Sequence, residues 1–279
     1  MEARKAKHGW IWTTLFSVIS VAWVFPIFLV VLNSFKKKVY ISKKPFALQT
    51  GKMFVGLENY VNGINKTGLI SAFGWSVFIT VFSVAAIILF CSMTAWYITR
   101  VKSKVTSTIY YLCLFSMIVP FQMVMYTLSK IANMLKLGNP VGIIVVYLGF
   151  GAGLSVFMFT GFCKSIPIEI EEAAMIDGCN PLQTFFKVVM PIMKPTCITV
   201  TILQAMWIWN DYLLPSLVLD QKKYKTIPIA VQYLKGGYGS VDMGAMMGVL
   251  VIAIVPIIIF YIACQRYIIE GVVAGAVKG

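Results

Sequence analysis

The chain has 279 residues, of which 59% are hydrophobic and only 12% charged, and its mean hydropathy is +0.84. Ordinary soluble domains do not have that composition, so the sequence reads as an integral membrane protein. The net charge of +14 does not indicate nucleic acid, because the basic residues are spread over loops with no aromatic-interleaved patch; contact with phospholipid headgroups follows instead.

Crossing a hydrocarbon core of about 30 Å takes roughly 20 apolar residues as helix, so uncharged runs locate the spans. Residues 1–9 form a basic tail with Arg4, Lys5 and Lys7. The run 10–32 follows; it is long and shows no small-x-small pattern before Asn33, which favours a retained span over a signal peptide. With it, 10–66 includes an outer loop carrying Lys36, Lys37, Lys38, Lys43, Lys44, Lys52 and Lys66, either solvated or facing an acidic partner surface. The runs 67–99, 105–129, 137–163 and 243–265 carry no Asp, Glu, Lys or Arg, and 195–219 carries only Asp211. Continuous runs of this kind point to helices and not to a barrel, whose strands alternate apolar and polar residues. The expected fold class is an all-α polytopic membrane protein with six transmembrane helices, a membrane domain over 67–265 and a short tail over 266–279.

Residues that break the apolar pattern mark candidate sites. In the third run Pro120, with Gln122 and Tyr126, suggests a kinked, partly hydrated helix. Gly142, Gly149, Gly151, Gly153 and Gly161 in the fourth permit close helix approach. Pro26, Pro215 and Pro256 read as hinges or as static bends. In the fifth run Asp211 is expected to face a cavity or a partner. Beside it Trp207, Trp209 and Asn210 combine aromatic faces with an amide, a chemistry that suits sugars; an aromatic belt at the membrane interface explains the tryptophans equally. The loop 220–242 carries Tyr224, Tyr233 and Tyr238, several lysines and the Gly236-Gly237 pair, and reads as a flexible surface for an external partner.

The polar segment 164–195 interrupts the spans and has helix signals of its own. Ser165 is placed to cap a helix with Pro167 in its first turn, while Glu169, Glu171 and Glu172 favour the positive N-terminal end. Gly178 stops that helix, Asn180 and Pro181 start a second through Phe185, Phe186 and Val188, and Pro191 limits it. The reading exposes Ala173, Ala174, Met175 and Ile176 on a small convex surface. Two uses stay open: a socket element for another protein, or an amphipathic pair resting on the leaflet.

No catalytic or metal centre is indicated. The six cysteines show no C-x-x-C spacing, His8 is the single histidine, and no Walker A loop is present. With both termini inside, eleven Lys and Arg fall on the inner side and thirteen on the outer, so charge counting does not choose an orientation. A secondary transporter has only Asp211 as an intramembrane carboxylate to use, and a membrane enzyme lacks a cluster of reactive residues.

Glu172-Ala173-Ala174, then Gly178 after three intervening residues, then Val188-x-Met190-Pro191 after nine more, resembles the EAA motif of ABC-importer membrane subunits. Val188 and Met190 depart from the usual Ile and Leu while keeping apolar character. The stretches WNDYLLPSLVL at 209–219, KTIPIAVQYL at 225–234 and QRYIIEGVVAGAVKG at 265–279 are similar to the maltose-type permeases, specifically their second, shorter subunit. The resemblance implies a type I ABC importer for a carbohydrate: a heterodimer of related permeases, two ATPase subunits that hold ATP and Mg, and an extracellular solute-binding protein. It implies that Glu172, Ala173, Ala174, Met175, Asp177, Gly178 and Pro191 couple to the ATPase. Within that frame the residues' own chemistry makes Trp207, Trp209, Asn210, Asp211, Gln122 and Tyr126 candidates for the substrate pathway, and the loop's aromatic, basic and glycine-rich character makes Tyr233, Gly236, Gly237 and Tyr238 candidates for meeting the binding protein. The expected location is the bacterial plasma membrane with both termini cytoplasmic. The C-terminal tail reads either as an extension along the ATPase or as a frayed end, and a permease for a non-sugar solute stays an alternative.

Overall fold

The computed structural model describes residues 9–234 and 241–276, with side chains described as far as 267. Among the described residues the secondary structure is helical apart from isolated β-bridge positions, among them the pair Lys36 and Phe54. The chain divides into two compact units, one comprising 1–69 with 230–256, the other 70–229 with 257–279.

In the first unit, α1 (Gly9–Ser34) is continuous through Pro26, and its 26 residues reach about 39 Å, enough to span. Its C-terminal end is followed by α2 (Lys38–Lys43), a short 3₁₀ turn (Gly51–Met53) and α3 (Glu58–Thr67). The Lys-rich loop is therefore built, not merely solvated, and Lys36 is the reason. It is fully buried, and its ammonium donates to Asn33 Oδ1 at 3.0 Å, Lys44 O at 2.9 Å and Pro45 O at 2.9 Å. The expectation that Lys36 is a solvated or partner-facing charge is thus corrected: its three N–H groups staple the loop to the end of α1, and burial pushes its pKa down. Asn59 adds a second staple, donating to Ser34 O and Lys36 O. Gly63 of α3 lies so close to the opening turn of the last helix that a Cβ there would stand 2.6 Å from Val249 and 2.9 Å from Ala245 O.

In the second unit, α4 (Leu69–Arg100) follows Gly68, whose positive φ of 63° ends α3. The expected third span is broken. α5 (Lys104–Ile118) and α6 (Phe121–Met134) meet at an angle of 110°. At 15 residues α5 reaches about 22 Å, short of the hydrocarbon thickness. The cause is local: Val119 before the proline is extended at ψ 115°, Pro120 is extended at ψ 135°, and two extended residues in succession redirect the axis far beyond a kink. α7 (Pro140–Cys163) starts with Asn139 accepting from Val141 N and Gly142 N, a cap followed by proline at the first helical position. α5 lies along α7. A Cβ on Gly153 would stand 2.6 Å from Met117 and Ser116 and one on Gly151 2.6 Å from Ile87, whereas Gly149 and Gly161 have open space. The packing reading of these glycines therefore holds for some of them only.

The chain continues through α8 (Ile168–Ile176), α9 (Pro181–Thr184), a π-helical turn (Phe185–Val189) and α10 (Met190–Ile192) to α11 (Lys194–Asn210), α12 (Leu213–Val218) and α13 (Ile227–Gln232). It ends in α14 (Met243–Ala276), which is continuous past Pro256 and carries the tail on as helix as far as Ala276. Four helices among the described residues are long and apolar enough to cross a membrane, or up to six when each bent pair counts as one.

Candidate functional site

The segment 164–195 takes its shape from its ends. α8 is not capped by Ser165, as expected, because that hydroxyl donates back to Phe162 O; Pro167 holds the N-cap position with no side-chain acceptor. At its C-terminus Gly178 has φ 86°, its N–H donates to Met175 O, and Cys179 N donates to Ala174 O, both at 3.0 Å. Those two bonds are the Schellman pair, and they require the left-handed residue that glycine supplies without strain. Asn180 then caps α9 reciprocally with Gln183: each side chain accepts from the other's backbone N–H at 2.9 Å.

Pro191 does not limit the second helix. It lies in the first turn of α10, and the axis turns by 76° beyond Ile192. Because proline has no N–H for the ladder, the preceding turn widens to π spacing, with Met190 N donating to Phe185 O.

The exposed convex surface is made of Glu172, Ala173, Met175, Ile176, Asp177 and Gly178. Ala174, expected on that surface, is buried at 8% exposure. Glu171 also departs from expectation. It is 3% exposed, and it is held by Arg100, whose Nε and Nη2 donate to Oε1 at 2.9 and 2.7 Å, and by Trp96 Nε1, which donates to Oε2 at 2.9 Å. Arg100 Nη2 also reaches Ile166 O. Sequence reading gave Glu171 a role in the helix dipole and missed this cluster. The available signal was an arginine and a tryptophan one helical turn apart at the C-terminal end of an otherwise uncharged run.

The fifth span is broken as well. α11 ends at Asn210, and Asp211 is an extended junction residue, not a residue inside the helix. Its Oδ1 accepts from Leu213 N at 2.9 Å and Leu214 N at 3.3 Å, which starts α12. Its Oδ2 accepts from Tyr147 OH at 3.0 Å. Tyr147 is fully buried, and Trp207 meets its ring edge-on at 5.5 Å. Trp209 packs edge-on against Phe73 at 5.9 Å, and Asn210 donates to Met206 O of its own helix. Thus Asp211, Trp207 and the unanticipated Tyr147 come together. Gln122 and Tyr126 lie one turn apart on an exposed face of α6, which is tied to the α12 region by Ser129 Oγ donating to Leu217 O. Deeper in the bundle, Gln204 of α11 donates to Ser155 Oγ of α7 at 3.1 Å. Tyr233 is exposed; Gly236, Gly237 and Tyr238 lie outside the described residues.

Long apolar helices, two broken spans and a capped polar helix-turn-helix between the fourth and fifth define a multi-pass membrane protein whose exposed segment presents a rigid surface outside the spans. The family model described as "Binding-protein-dependent transport system inner membrane component" matches residues 92–273, and the chain belongs to that family. It is a transport subunit and not an enzyme. It is similar to the probable starch degradation products transport system permease protein AmyC of Thermoanaerobacterium thermosulfurigenes, with 39% identity over 95% of this chain and 96% of the relative. The multiple sugar-binding transport system permease protein MsmG of Streptococcus mutans shares 33% identity over 99% of both chains. Among solved structures, a chain of a bacterial ABC transporter involved in import of the acidic polysaccharide alginate superposes with a TM-score of 0.79, covering 96% of this chain and 99% of that one at 22% identity.

Proposed function

We propose that this chain is the second, shorter permease subunit of an ATP-driven importer that carries a carbohydrate, of oligosaccharide class, across the bacterial plasma membrane. The observation that carries the coupling part is the exposed turn from Glu172 to Gly178, fixed by the Schellman pair at Gly178 and presented beyond the spans. Its rigidity suits a surface that must transmit displacement. The relatives' names, starch degradation products in one and multiple sugars in the other, support the solute class. The family's dependence on a binding protein supports an extracellular solute-binding partner.

In this reading the chain pairs with a related permease, and two ATPase subunits bind ATP and Mg beneath them. Closure of the ATPase dimer carries the Glu172–Gly178 surface, and the spans rock between inward- and outward-facing states as rigid bodies around a central path. Both termini are cytoplasmic, because only that orientation lets the segment meet an ATPase. Trp207, Trp209 and Asn210 beside Asp211, with Gln122 and Tyr126 on α6, line the sugar path. Tyr233 and the Gly236–Tyr238 stretch meet the binding protein.

The test is reconstitution of the chain with its partner permease, ATPase and binding protein in liposomes. Oligosaccharide-loaded binding protein should stimulate ATP hydrolysis and solute uptake together. Stimulation by a non-sugar solute alone would remove the carbohydrate assignment, and uptake without ATP would remove the coupled mechanism.

A further inference from the structure

The 164–195 segment is joined covalently to α7 and α11, yet its strongest contacts run to a third helix. On α4, Ser92, Trp96 and Arg100 recur every fourth residue and so share one stripe. Arg100 forks onto Glu171 and reaches Ile166 O, so it grips α8 and the chain entering it. Trp96 holds the other carboxylate oxygen, and its ring lies 5.4 Å from that of Phe185, which is fully buried in the second half of the segment. One helical stripe therefore seizes both halves of the segment. The bonds are charge-assisted and directional, and with Glu171 at 3% exposure water does not compete for them. They fix the segment's orientation on α4 as well as its position. With 32 residues α4 extends about 48 Å, so a tilt imposed at its inner end reappears at its far end.

We infer that Arg100, Trp96 and Glu171 are positioning residues that clamp the coupling segment to α4, making α4 the span that receives the displacement of the Glu172–Gly178 surface. The inference rests on the coupling reading proposed above. It differs from that reading in placing the transmitting contact on the buried face of α8, opposite the surface offered to the ATPase.

The test compares wild type with E171Q, R100K and W96F in the complete complex in proteoliposomes, measuring solute carried per ATP hydrolysed. ATPase copurification and the thermal midpoint in detergent are recorded alongside. E171Q and R100K should lower the transport-to-hydrolysis ratio at least about three-fold while the ATPase still copurifies. W96F keeps an aromatic ring beside Phe185 and loses the indole N–H with part of the ring area; it should give a smaller drop in the ratio than E171Q, with the midpoint recorded alongside, and it decides alone where the charge variants do not assemble. An unchanged ratio overturns the inference. So does a ratio that falls only in step with the midpoint, since the cluster is then scaffolding. M175D, on the exposed face, should release the ATPase; if the ATPase stays bound and hydrolysis stays coupled, the docking reading fails independently of the clamp variants.

Discussion

Replacing Gly178 with valine separates backbone geometry from surface bulk at the turn of the segment. The φ of 86° is open to glycine but strained for a β-branched residue, at about 1–3 kcal/mol. No clash adds to that, because a Cβ on Gly178 would meet no atom within 4 Å. The chain can escape the strain only by giving up the bonds from Gly178 N to Met175 O and from Cys179 N to Ala174 O, each worth about 0.5–1.5 kcal/mol. The cost is similar either way, and it falls on an exposed turn far from the packed core, so insertion and assembly should survive. The geometry of the Glu172–Gly178 surface should not. Uptake in proteoliposomes should fall in G178V, since every 1.4 kcal/mol of strain lowers the equilibrium constant for the competent turn about ten-fold. Asparagine tolerates the left-handed region, so G178N should retain most of the uptake. Wild-type uptake in G178V refutes the reasoning. Equal loss in G178N and G178V refutes it too, since side-chain bulk, and not φ, would then be the cause.

Three further outcomes follow from the structure. K36M removes the ammonium that satisfies Asn33 Oδ1, Lys44 O and Pro45 O, and should destabilise the loop after α1 by about 1–3 kcal/mol for each acceptor that water does not recover, read as faster hydrogen exchange over α2. Asp242 loses hydration by burial, which alone would raise its pKa; the hydrogen bonds from Lys66 and Ala245 N prevail and hold it below the ordinary carboxylate value. A depressed folded pKa means stability present above the unfolded value and lost as pH falls through the folded one, so exchange at the start of α14 should quicken below about pH 4 in wild type and lose that dependence in D242N. Y147F leaves Asp211 its two backbone donors and removes the third, which should cost about 1.5–3 kcal/mol as a lowered thermal midpoint, with the KM for solute unchanged if the carboxylate is a junction and raised if it touches sugar.

Length and apolarity made the first, second, fourth and sixth spans legible, since an uncharged run of that length has few other uses. The same averaging concealed the breaks. Asp211 disappears into a hydrophobic window, although Asp followed by Leu213 and Leu214 N–H groups is a helix start by the rule that identified Asn180. Pro120 was readable as a bend, but not as 110°, because that angle depends on Val119 being extended as well. The turn at Gly178 was legible from caps and spacing. The inward side of α8 was not: Glu171 next to Glu172 gives no sequence sign of which one faces Arg100. Lys36 sits among seven loop lysines, and only the fold distinguishes the one that is buried.

The broken spans and the clamp bear on one mechanical question. A displacement delivered to α8 can spread through α7 and α11, to which it is joined, or through α4, to which it is bonded. α11 ends at the Asp211 junction, where two backbone N–H groups of the next helix and one phenol bond to the same carboxylate. α5, packed on α7 through Gly153, ends at Val119. α7 and α4 run on without interruption, α7 for 24 residues and α4 for 32, and of the two only α4 is gripped by side chains at both halves of the segment, through Arg100 and Trp96. In the clamp reading rigid displacement passes along α4 as well as α7, while the junctions at Pro120 and Asp211 are where neighbouring helices can change angle without deforming their own ladders. The side chains assigned to the sugar path, Gln122 and Tyr126 beyond one junction and Trp207 to Asp211 at the other, sit at those two places.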